Sequence, residues 1–183
     1  MKFKNLWKMY ERFQKASNKE KYDFPFPMAV FGTLRKDYSN SCLMRNRNVE
    51  CLAHSKAFIT HMIPSGLWLD FKKDATGVAE VYFYDKLNWK SMIRSVDGLE
   101  GFNKHSDSNY GYNRTLVRIH LLPKDFKSNF YGKNSILYSD RDFGILESCW
   151  EQYVSIPAWI YANTETNVNC LKLKNHPILW FKE

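Results

Sequence analysis

No run in this chain approaches the roughly 20 consecutive apolar residues of a membrane-spanning helix. The opening stretch, MKFKNLWKMYERFQKASNKEKYDF, is charged throughout and lacks the apolar centre of a secretory signal, so a cytoplasmic location is expected. Cysteine is scarce. Cys42, Cys51, Cys149 and Cys170 form no C-x-x-C pair, and no histidine stands at zinc-ligand spacing from them. That argues against a structural metal site. Buried free thiols in a reducing compartment are expected in preference to a disulfide framework. Internal repeats and low-complexity tracts are also missing.

What is present is apolar and aromatic. Hydrophobic residues make up 44% of the 183, with 13 Phe, 11 Tyr and 6 Trp, enough to build a core and inconsistent with a disordered chain. The length suits one domain with an extension. The formal net charge is +8, and residues 1–22 carry seven Lys and Arg against two Glu, so more than half of the excess lies there. A nucleic-acid binder would more often carry its basic stripe across the core domain. Nucleic acid is therefore not expected as a partner, whereas an acidic partner for residues 1–22 stays open.

Phe3, Trp7, Tyr10 and Gln14 share a helical stripe, with Leu6 and Phe13 beside it. This predicts an amphipathic helix over 3–15, either packed on the domain or meeting an acidic partner or a membrane surface. Pro25 and Pro27 close the extension. Strands are predicted at 28–34, 53–63, 76–85, 112–122 and 155–165, the third with Val78, Glu80 and Tyr82 on a polar-leaning face. Between them "DKLNWKSMIRSVDGLEG" reads as a helix. Asp85 is its N-cap, Trp89, Met92, Ile93 and Val96 form its apolar stripe, and Gly101 is its C-terminal stop. Strands broken by one central helix predict an α+β fold with a mostly antiparallel or mixed sheet.

Two places raise chemical questions. In "MAVFGTLRKDYSN" an apolar strand runs into Gly32 and Thr33, then Leu34 and Arg35. That is either a tight corner, with Thr33 bonding its own backbone, or a nest of amide N–H groups that holds an anion. Arg35 either strengthens the field at that corner or is a solvated side chain, and the second is expected. The second place is Glu100, seven residues after Ile93 and four after Val96. Those offsets, roughly −20° and +40°, put it near the apolar stripe in the last helical turn. Desolvation and the helix dipole both raise the pKa of a carboxylate there. Either the helix end frays and Glu100 turns to water, or Glu100 is a tuned general base. Asp97 reads as structural.

Five segments in order, across roughly residues 27–165, resemble the gamma-glutamylcyclotransferase-like family, which includes the AIG2-like proteins. "VFGTLR" is similar to its Y-G-[ST]-L signature, and "TGVAEVYFYD" to its V-x-G-E-[VL]-Y strand. "VDGLEGFN" matches L-D-x-[LF]-E-G, Tyr112-Asn113-Arg114 matches Y-x-R, and "AWIYANTE" matches A-W-x-Y.

The resemblance implies a small mixed β-barrel with flanking helices, and an enzyme that cyclises a γ-glutamyl amide to 5-oxoproline and a free amine or amino acid. It implies no metal and no organic cofactor. The family's catalytic glutamate falls on Glu100 and its substrate-binding corner on Phe31, Gly32, Thr33 and Leu34. Ser65 and Gly66 match a loop that borders the substrate, or form a plain turn; Tyr112 lines the pocket or simply packs. The chain departs from the pattern at Phe31, where Tyr is usual, at Val96 for Leu, and at Ala79 for Gly. Residues 1–26 form a basic N-terminal extension, 123–154 resemble an insertion, and 166–183 are expected to pack on the domain. The competing reading is an inactive member of the fold that binds a protein or a small ligand.

Overall fold

The computed structural model describes residues 3–30, 32–36, 38–45, 53–59, 62–63, 68–69, 77–105, 112–121 and 154–164. The candidates Phe31, Ser65 and Gly66, nearly all of the 123–154 stretch, and the 166–183 tail lie outside them.

The chain opens with helix α1 (Phe3–Lys15) and a one-turn helix α2 (Asn18–Lys21), then strand β1 (Met28–Val30). A 3-10 turn (Gly32–Leu34) and a short helix α3 (Ser41–Met44) lead to strands β2 (Ala53–Ile59), β3 (Met62–Ile63), β4 (Trp68–Leu69) and β5 (Gly77–Phe83). Helix α4 (Lys86–Glu100) precedes the long strands β6 (Asn113–Leu121) and β7 (Ser155–Thr164). The fold is α+β. No helix among the described residues is long and apolar enough to cross a membrane.

The sheet is mixed, in the order β1-β5-β2-β6-β7-β4-β3. Antiparallel ladders join β1 to β5, β5 to β2, β2 to β6 and β6 to β7. The strand β1 also meets β7 in parallel, Met28 opposite Trp159. Within the predicted 53–63 strand the described residues form β2 and β3.

Local signals set α4 as the sequence predicts. Asp85 accepts from the N–H groups of Leu87 and Asn88 at 2.9 and 2.8 Å, occupying donors that the first turn leaves open. Gly101 ends the helix at φ 69°, a conformation that glycine adopts without a Cβ clash. Trp89, Met92, Ile93 and Val96 are buried between these caps.

In α1 the covered line differs from the predicted stripe. Leu6 and Phe13 are buried, Met9 and Tyr10 are partly covered, Trp7 is half-exposed and Gln14 is exposed. Phe13 meets the edges of Phe24, Phe26 and Trp159, and these rings select the face that turns inward. The helix packs on β7 and shares the domain's core. Burying Leu6 and Phe13 contributes about 1.5–3 kcal/mol each. Lys8, Arg12 and Lys15 remain exposed on the outer face.

The predicted polar face of β5 is also covered: Glu80 and Tyr82 are as buried as Ala79, Val81 and Phe83. Cys42 is a free thiol on the surface, contrary to the expectation of a buried one, and the other three cysteines lie outside the described residues.

Candidate functional site

The strand predicted over 28–34 stops at Val30 and becomes a single 3-10 turn. Gly32 is a poor strand former, and bonds from Asn40 hold the tighter turn. Thr33 accepts twice from Asn40: its carbonyl from the backbone N–H and its hydroxyl from the side-chain amide, each at 3.0 Å. Leu34 is buried. Arg35 is buried as well, 3% exposed, with its guanidinium 4.5 Å from the centre of the Tyr38 ring. The expectation of a solvated Arg35 is thereby corrected; the stacked ring replaces part of its water shell.

Beyond the turn, the N–H of Lys36 donates to Glu80 Oε2 at 2.6 Å. Glu80 reaches the corner because β5 pairs with β1 in the register Val30 to Glu80. The Tyr82 hydroxyl donates to the same oxygen at 2.9 Å. Burial and then the Glu80 charge push the Tyr82 hydroxyl far above its ordinary range. A buried carboxylate with two donors, one a backbone amide, is a firm anchor for the corner.

A second cluster forms where α4 ends against β6 and β7. Tyr161 donates to Asp97 Oδ1 at 2.5 Å, and Arg114 Nε lies 3.5 Å from the same oxygen. Arg114 is 2% exposed. Its Nη2 donates to the Tyr22 carbonyl at 2.9 Å, and the rings of Tyr22, Phe102 and Trp159 surround its guanidinium at 5.2–5.5 Å. Among the described residues its Nε and Nη1 have no hydrogen-bond partner. The N-terminal segment straps this cluster from outside: Trp159 Nε1 donates to the Phe24 carbonyl at 2.9 Å, and Lys104 pairs with Asp23.

Glu100 is half-buried at the edge of the cluster. The helix does not fray there, because the Tyr112 N–H donates to the Glu100 carbonyl at 3.0 Å and Gly101 closes the turn. Burial raises the pKa of the Glu100 carboxyl. Asp97 is raised too, by burial, with Arg114 and the Tyr161 hydroxyl opposing. The Tyr161 hydroxyl is held far above its ordinary range by burial first, and Asp97 and Glu100 push the same way.

No family model matches the chain, and no curated protein matches it. The site therefore rests on its own geometry. Of the predicted residues, Glu100 and Tyr112 come together, and Gly32, Thr33 and Leu34 form one turn. Helix α3 packs against both that turn and α4. No hydrogen bond or ion pair among the described residues links Glu100 to the turn. The described residues contain no group of three or more His, Cys, Asp and Glu placed to hold a metal.

Four residues that the sequence reading did not select stand out here: Glu80, Tyr82, Arg114 and Tyr161. Arg114 had a legible signal, since it shares a strand face with the apolar Leu116. Glu80 and Tyr82 alternate as they would on a wet face, so only the covering elements reveal them.

Proposed function

We propose that the chain is a gamma-glutamylcyclotransferase-like enzyme that cyclises a small γ-glutamyl amide. The observation that carries this reading is Glu100, a carboxylate held half out of water at a rigid helix end, with its pKa raised by burial. An α-ammonium group has a reference pKa of about 7.7–8.0, and a glutamate near 4.3 is a poor base for it. A raised glutamate is better matched.

In the proposed reaction Glu100 takes a proton from the substrate's α-ammonium. The freed amine nitrogen attacks the γ-carbonyl carbon, and the carbonyl oxygen becomes an oxyanion. The N–H groups of Gly32, Thr33 and Leu34 receive that oxyanion or the substrate's α-carboxylate. The tetrahedral centre collapses, the bond to the leaving nitrogen breaks, Glu100 returns its proton to that nitrogen, and the second proton shed by the attacking nitrogen also passes to the departing amine, which leaves as an ammonium while the ring keeps one N–H. The products are 5-oxoproline and a free amine or amino acid. Holding amine and carbonyl together supplies about 7–11 kcal/mol of the barrier reduction. No cofactor enters.

The strand pairings support the barrel that this family would have. β1 pairs with both β5 and β7, so the sequence β1-β5-β2-β6-β7 returns to β1. A second reading, a binding module without turnover, is favoured by Phe31 in place of a tyrosine and by the lack of a direct bond between Glu100 and the turn among the described residues.

The test is 5-oxoproline release, by mass spectrometry, from a panel of γ-glutamyl amines and dipeptides, with Glu100→Gln in parallel. Release that drops by orders of magnitude in the variant supports the enzyme. Equal rates in both proteins remove Glu100 as the base, and no release from a folded protein favours the binding module.

A further inference from the structure

The two faces of α1 have different surroundings. Leu6 and Phe13 are buried in the domain core, while Lys8, Arg12 and Lys15 are exposed on the far side. The three cations follow one another at i, i+4 and i+7. They fall within roughly 60° of arc, in a line that advances about 6 and then 4.5 Å along the axis. None of the three makes a hydrogen bond or ion pair among the described residues. Glu11 is exposed beside them and within helical reach of Lys8 and Lys15, yet it pairs with neither. Like charges at these spacings repel one another. The helix dipole favours Arg12 and Lys15, which lie in the last turn, but offers nothing to Lys8 in the middle. The fold thus carries an unneutralised basic row on a helix whose other face is packed against β7.

We propose that this row docks an acidic helix of another protein, with Asp or Glu at the matching i, i+4 and i+7 positions. Carboxylates at that spacing advance along their own axis by the same steps, so all three cations are neutralised at once. A bilayer fits the row less well, because the apolar line that would enter it, Leu6 and Phe13, is already inside the core. A nucleic acid also fits less well. Its bases stack on aromatic side chains beside a basic track. The half-exposed Trp7 is separated from the row by Glu11, four residues on, and the Arg118 guanidinium already lies 5.9 Å from the centre of its ring. This surface has no part in the proposed reaction at Glu100.

The experiment is fluorescence anisotropy of a labelled alanine-based helical peptide with Glu at i, i+4 and i+7, titrated with the full chain. The comparisons are a peptide of the same composition with its Glu scattered around the helix, a single-stranded RNA of equal charge, and phosphatidylserine vesicles. The patterned peptide is expected to bind most tightly, and added salt to weaken it. Lys8→Glu, Arg12→Glu and Lys15→Glu together should reduce its affinity by about tenfold or more. Lys86→Glu, Lys90→Glu and Arg94→Glu make the same change of charge on α4, where these exposed cations drift through roughly 80° of arc. They should reduce it by no more than about twofold. Where circular dichroism shows that the α1 triple variant does not fold, Lys8→Ala with Arg12→Ala takes its place, and the affinity must again fall. No binding of the patterned peptide, equal affinity for the scattered one, equal loss from the α4 changes, or tighter binding of the RNA or the vesicles each overturns the proposal.

Discussion

Arg114 and Tyr161 stand opposite each other on β6 and β7, and both reach one oxygen, Oδ1 of Asp97. A strand pair and the last turn of a helix are thus joined through a single carboxylate. The partners come from distant parts of the sequence, 64 residues apart for Tyr161 and Asp97. Glu100 lies three residues further on, at the end of the same helix.

Breaking the joint leaves a charge without its partner. Arg114→Met is expected to destabilise the protein by about 3 kcal/mol, because Asp97 loses its ion-pair partner and the Tyr22 carbonyl loses a buried donor. Asp97→Asn added to Arg114→Met should restore part of that loss, since the stranded charge is gone. Urea unfolding of both variants and the double variant measures the coupling; additive losses would show that Arg114 and Asp97 act independently.

Glu80 acts through its acceptor oxygen. Glu80→Leu leaves the Lys36 N–H and the Tyr82 hydroxyl without this acceptor and should cost about 2–3 kcal/mol. Glu80→Gln keeps a carbonyl oxygen there and should cost about 1 kcal/mol. Equal losses in thermal or urea unfolding would assign the effect to side-chain volume instead.

Two groups give stability opposite slopes with pH. The Glu100 pKa is raised in the folded chain, so its contribution is fully present below the ordinary carboxylate pKa and is lost as pH rises through the folded value. Glu100→Gln should therefore gain on the wild type as pH rises toward neutrality. The imidazole of His120 is pushed down to about 4 by burial and then by Arg118. Its contribution is present above the ordinary histidine pKa and is lost as pH falls from about 6.5 to about 4. His120→Gln should flatten that acid limb. Urea midpoints across pH 4–8 read both slopes.

Gly98 lies on the exposed face of α4, and a Cβ there would meet nothing within 4 Å. Gly98→Ala should stabilise the protein by about 0.5–1 kcal/mol through helix propensity and a less flexible unfolded chain. A lower melting temperature in the variant would contradict this.

The two faces of α1 should respond differently. Phe13→Ala opens a cavity among Phe24, Phe26 and Trp159 and should cost about 3–5 kcal/mol. Charge reversal at exposed Lys8, Arg12 or Lys15 should change stability by no more than about 0.5 kcal/mol. If an acidic partner uses this face, the same reversals should weaken its binding and lower its salt dependence, as titration against a polyanion at several ionic strengths would reveal.

The sequence by itself determined what depends on near neighbours. Asp85, the stripe from Trp89 to Val96 and Gly101 delimit α4, because caps and helical period act within a few residues. Glu100's lean toward the core follows from the same period. Alternation located most of β5 and β6. Tertiary structure alone decided which faces are covered. The pattern of Glu80 and Tyr82 reads the same on a wet face as on a buried one, and the elements packed around β5 settle it. Arg35 reads as an ordinary surface cation until the Tyr38 ring covers it, and only the fold encloses Arg114 in the cage of Tyr22, Phe102 and Trp159. The stripe that α1 buries was chosen by Phe24, Phe26 and Trp159, not by its own period. Local sequence encodes a repeat and its ends; burial and ion pairing depend on residues that only the folded chain brings together.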